Sequence, residues 1–171
     1  MTKYEEMKEA AATQLRNFNE RRQRCWQHGL KLINGFRAYC DIPSAALKFL
    51  RWTGDKTTPA PYEEAEPGHA YTIPGAMQFS EEDGYWHFGV RLALTQMQWI
   101  VFGVGISDCD GRAMVKVGGG NPRQIDTSDQ NQCNEFYDSI VAFVKDAYRD
   151  EKSAANRIGF ALGQQDEQTA A

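Results

Sequence analysis

Residues 77–117 read MQFSEEDGYWHFGVRLALTQMQWIVFGVGISDCDGRAMVKV, and the fold turns on this stretch. Two Asp-Gly dipeptides, Asp83-Gly84 and Asp110-Gly111, separate segments in which polar and apolar residues alternate. Asp-Gly supplies the positive φ angles of a two-residue type I′ hairpin, so each dipeptide predicts a tight antiparallel turn. With Asp83 and Gly84 as the loop, Phe79 is expected opposite Phe88 and Met77 opposite Val90. A three-residue loop at Thr95-Gln96-Met97 then sets Trp86, Phe88, Val90 and Leu92 against Ile106, Val104, Phe102 and Ile100. The second Asp-Gly turn brings Val115 and Val117 opposite Ile106 and Val104. All of these side chains fall on one face, and a one-residue slip at any turn would send a strand's aromatics to the other side. Gly118-Gly119-Gly120-Asn121-Pro122 closes the fourth strand, and 123–126 is expected to add a short edge strand.

Upstream, Tyr4 to Tyr39 contains no proline, and Ala11, Leu15, Phe18, Cys25, Leu32, Phe36 and Tyr39 recur at helical spacing. A long amphipathic helix is expected over 1–40, with a kink near Gly29. At about 1.5 Å per residue such a helix spans roughly 50 Å, more than a four-stranded sheet can cover. The later half, with Trp26, Leu30, Leu32, Ile33, Phe36 and Tyr39, is expected to pack on the sheet. The earlier half would overhang and leave Met7, Ala11, Leu15 and Phe18 as an apolar stripe that calls for a second copy, another protein or a fold-back hinged near Gly29. Pro43 before and Gly54 after favour a short helix over Ser44–Thr53, although its alternation also permits a strand, and 55–69 reads as loop.

Downstream, Thr127 and Gln130 form a candidate capping box, after which Cys133, Phe136, Tyr137, Ile140, Val144 and Tyr148 mark a helix over 128–152. The expected architecture is α+β: a four- to five-stranded antiparallel meander over 76–126 with the long N-terminal helix and the C-terminal helix on one face. Residues 1–155 are expected to form one domain and 156–171 a polar tail with a small apolar cluster at Ile158–Leu162.

Across 171 residues, 42% hydrophobic and 25% charged composition supports a closed core. The net charge of −4 argues against broad binding to nucleic acid or anionic membranes. No apolar run approaches a membrane span and the first residues lead into charged helix, so a cytoplasmic location is expected. Cys25, Cys40, Cys109 and Cys133 form no C-x-x-C pair, and with His28, His69 and His87 scattered, neither a metal nor another cofactor is expected.

The meander register places His87, Gly89, Arg91, Trp99, Gly103, Gly105 and Lys116 on the face away from the core, Gly89 across from Gly103 and Gly105 between His87 and Lys116. Strand glycines permit close approach, so this face is a candidate binding surface for an anionic ligand or an acidic segment. Catalysis is not expected: His87 has no carboxylate at the expected neighbouring positions and no Ser or Cys beside it in the pattern of a base-activated nucleophile. The sequence therefore reads as a non-enzymatic protein-interaction module, an adaptor, chaperone-like subunit or inhibitor, expected to self-associate. The alternative is a sensor of, or enzyme for, a small anionic ligand on the glycine face.

Overall fold

A computed structural model describes residues 1–55, 57, 61–149 and 158–160. The elements are α1 (Lys3–Tyr39), a 3-10 turn (Ser44–Ala46), β1 (Leu47–Trp52), β2 (Tyr62–Glu63), α2 (Ile73–Ala76), β3 (Gln78–Phe79), β4 (Trp86–Ala93), β5 (Gln98–Cys109), β6 (Arg112–Val117), β7 (Arg123–Ile125), α3 (Gln130–Arg149) and β8 (Ile158–Phe160). The protein is α+β, with an open antiparallel sheet in the order β2-β1-β4-β5-β6-β7. β3 pairs with β4 beyond the end of β1, and β8 pairs with β5 at Gln98–Ile100.

From β4 to β6 the strands lie in the expected register, and β7 is the short edge strand expected over 123–126. Trp86, Phe88, Val90 and Leu92 pair with Ile106, Val104, Phe102 and Ile100, and Val115 and Val117 with Ile106 and Val104. The Asp110-Gly111 hairpin has φ of 50° and 82° at its two residues, the positive pair that a type I′ turn demands.

The first hairpin differs. Phe79 lies opposite Trp86, not Phe88, because the loop spans Glu81 to Gly84: the Ser80 N–H donates to the Tyr85 carbonyl, and the Tyr85 N–H to the Asp83 side chain at 3.0 Å. The shift is two residues, so the face of each side chain is unchanged. It frees the edge of β4 from Phe88 to Leu92, and β1 takes that edge, pairing Leu47 with Leu92 and Phe49 with Val90. This corrects the expected helix over Ser44–Thr53. A lone segment with Pro43 and Gly54 at its ends looks helical, but the open hydrogen-bonding edge of a central strand outweighs local preference.

α1 is capped by Thr2, whose hydroxyl accepts from the Glu5 N–H while the Glu5 carboxylate accepts from the Thr2 N–H. It runs unbroken through Gly29 and Gly35, so the chain does not fold back at Gly29. Both glycines are sites of close packing. A Cβ at Gly29 would come within 3.0 Å of Ile106 Cδ1, and one at Gly35 would overlap the Tyr137 hydroxyl.

Leu32, Ile33 and Phe36 of α1 join the apolar sheet face and Phe136, Tyr137 and Ile140 of α3 in one core. Leu30 and Tyr39, expected to pack, remain 41% and 45% exposed. α3 begins at Gln130 rather than at 128, because Asp129 and not Thr127 caps it: Asp129 Oδ1 accepts from the N–H groups of Asn131 and Gln132 at 3.0 and 3.3 Å. Within the tail, Ile158–Phe160 forms β8; 156–157 and 161–171 lie outside the described residues.

Candidate functional site

On the glycine face Gly89 pairs with Gly103, and Gly105 lies between His87 and Lys116, as the alternation implied. The face is not bare. Tyr62 of β2 lies across it: a Cβ at Gly89 would come within 2.7 Å of Tyr62 Cδ1, and one at Gly103 would overlap the Tyr62 hydroxyl. The glycines make room for this ring. Burial raises the Tyr62 pKa above its ordinary value, so the phenol stays neutral and is no candidate base at neutral pH. Sequence reading took 55–69 as loop and missed Tyr62. Its signal, an aromatic in a polar stretch, acquires meaning only when β2 pairs with β1 at Trp52 and Arg51.

The basic residues around the lane are compensated by the protein itself. Arg91 donates to Glu64 at 2.6 Å and stacks over Trp99, 4.4 Å from its centroid. Lys116 lies 3.5 Å from Asp83 Oδ2 and 3.9 Å from the centre of the Tyr85 ring. His87 Nε2 is 2.8 Å from the same carboxylate oxygen, and Trp52 stacks on the imidazole at 4.7 Å. Asp83 was not expected beside His87; the longer loop curls it back. Burial works against its charge, but the Tyr85 N–H, His87 and Lys116 outweigh burial and hold its pKa below the ordinary value. An ionised Asp83 accepts, so Nε2 carries the proton. The other ring nitrogen, Nδ1, faces Gly105, where a Cβ would come within 3.1 Å of it.

The second surface is the N-terminal half of α1. Every residue from Met1 to Arg24 is exposed and Cys25 is the first buried one, and the part of the helix before Phe18 overhangs. Three contacts fix its root. Phe18 packs on Phe79 and Trp86 at centroid distances of 5.4 and 5.3 Å. Arg22 donates to the Pro74 carbonyl at 3.1 Å and stacks over Trp86. Arg24 and His28 both bond Asp108, each at 2.9 Å. Beyond this root, Met7 and Leu15 are 63% and 61% exposed, and Phe18 retains 38%. With Ala11 they form one stripe on the side of α1 that is buried further along, above an open trough with Glu81 on its far wall.

No protein-family model, curated protein or solved structure matches this chain. Among the described residues, no group of three or more His, Cys, Asp or Glu side chains is placed to hold a metal ion. No helix among them is long and apolar enough to cross a membrane.

Proposed function

We propose that the protein is a non-enzymatic interaction module that self-associates through the overhanging half of α1. The observation that carries this reading is the exposure of Met7 and Leu15, 63% and 61%, on a helix segment whose residues are all exposed. Apolar side chains exposed on such a segment gain free energy when a partner removes them from water. Its exposed stripe is therefore a surface that a partner covers. The alternative, an anionic ligand in the glycine lane, is disfavoured because Tyr62 fills the lane and Glu64 and Asp83 neutralise its cations.

Sedimentation velocity over a concentration series tests the proposal. The intact protein is expected to associate, and a Met7→Glu, Leu15→Glu variant to sediment as a monomer with unchanged circular dichroism. A monomeric intact protein at every concentration would remove the self-association reading.

A further inference from the structure

One short segment makes both contacts that close the glycine face. Tyr62 lays its ring over Gly89 and Gly103, and Glu64, two residues on, bonds Arg91 at 2.6 Å, where Trp99 also stacks. Few bonds hold this segment. Among the described residues β2 pairs with β1 at two positions, Glu63 with Arg51 and Tyr62 with Trp52, although β1 is six residues long. Gly54 and Gly68, with φ of 72° and 83°, stand before and after it, and glycine admits the backbone rotations that a hinge requires.

We propose that residues 61–66 are an internal ligand, and that the lane they cover receives in their place an extended segment of another protein, an aromatic residue followed two and four positions on by acids. This goes beyond the self-association reading and does not depend on it. The edge of β1 offers more than the internal segment takes. The Thr53 N–H donates to the Pro61 carbonyl at 2.9 Å, which by alternation turns the N–H groups of Arg51, Phe49 and Leu47 to the same outer side. Arg51 has β2 beside it; Phe49 and Leu47 have no strand there among the described residues. The internal chain turns away, its His69 N–H bonding the Glu66 carbonyl at 2.9 Å. An incoming strand without that turn pairs along the whole of β1, the mode in which an extended peptide joins a sheet edge.

Charge and shape select the occupant. The internal segment carries Glu63, Glu64 and Glu66, and its departure leaves Lys48, Arg51 and Arg91 on two strands that contain no acid. Asp83 stays with His87 and Lys116 at the other end of the lane. A strand that continues the β1–β2 register places its first acid opposite Leu50, next to Arg91, and its second opposite Lys48, while its aromatic ring takes the seat over the paired glycines. A small anion would meet the cations and leave both the glycine seat and the ladder edge empty.

The probe is a capped synthetic peptide with the sequence of residues 61–66, titrated against the full chain and followed by NMR. A Tyr62→Ala, Glu64→Ala variant empties the lane, and circular dichroism establishes that it is folded. An internal segment closed in about nine molecules of ten lowers the apparent affinity for a competing ligand about tenfold, so the emptied variant is expected to bind the peptide at least about tenfold more tightly than the intact protein. Adding Gly103→Val to the emptied variant is expected to abolish that gain, because the ring loses its seat. A Glu64→Gln variant, altered at one exposed position, is expected to show a smaller gain in the same direction and serves if the double variant does not fold. Equal affinity for the intact and emptied proteins, no binding to either, or a gain that survives Gly103→Val would overturn the proposal.

Discussion

The ring of Tyr62 lies over Gly89 and its hydroxyl over Gly103, so the paired strand glycines are a seat for a side chain of the same molecule. Gly103→Val is consequently a stability variant. The added side chain must displace Tyr62, at a cost of about 1–3 kcal/mol typical of overpacking. In a Tyr62→Ala background the same change should cost much less, because the obstacle is gone. Denaturant unfolding of the double-mutant cycle measures the coupling, and additive losses would show that the two residues do not meet.

The centre of the sheet makes a larger demand. Phe102 is buried against Val90 across the ladder and packs edge-on to Phe143 of α3 at 5.8 Å. Phe102→Ala should destabilise by about 3–5 kcal/mol. An unfolding midpoint close to that of the intact protein would contradict this placement of α3 on the sheet.

The contact that fixes the root of α1 should respond to acid. Burial works against the Asp108 charge, but the bonds from His28 and Arg24 outweigh it and hold the pKa below its ordinary value. A depressed carboxyl pKa contributes stability that is present above the unfolded-state value, near 4, and is lost as pH falls through the lower folded-state value. Asp108→Asn should therefore destabilise the protein at neutral pH and flatten the acid limb of its stability profile. Equal slopes for the two proteins below pH 4 would mean that this carboxylate plays no part in acid unfolding.

The four thiols should differ in reactivity. Cys109 is exposed at the tip of the β5–β6 hairpin. Cys25 is buried on the inner face of α1, and burial, followed by the charge of Asp108, pushes its pKa up to about 11. Burial also raises the Cys133 and Cys40 pKa values. Alkylation at neutral pH, followed by peptide mapping, should label Cys109 first and reach Cys25 only on unfolding. Early labelling of Cys25 would place that segment of α1 away from the sheet.

Alternation of polar and apolar residues, with Asp110-Gly111 and Thr95-Gln96-Met97 as turns, was sufficient to place Phe88 against Val104 and Gly89 against Gly103, since a period of two leaves only one register with a single apolar face. Helical periodicity likewise revealed α1, α3 and the excess length of α1 over the sheet. Three features depended on partners distant in the chain. Whether Leu47–Trp52 became helix or strand was decided by the free edge of β4, a hydrogen-bonding demand that no local preference encodes. Whether Gly29 was a hinge or a contact was decided by Ile106, and whether the glycine lane lay open or filled was decided by Tyr62 arriving on β2. Sequence pattern determines which face of an element is apolar because that property is carried by its own residues. Tertiary structure alone decides what each face meets, because the meeting residue lies elsewhere in the chain.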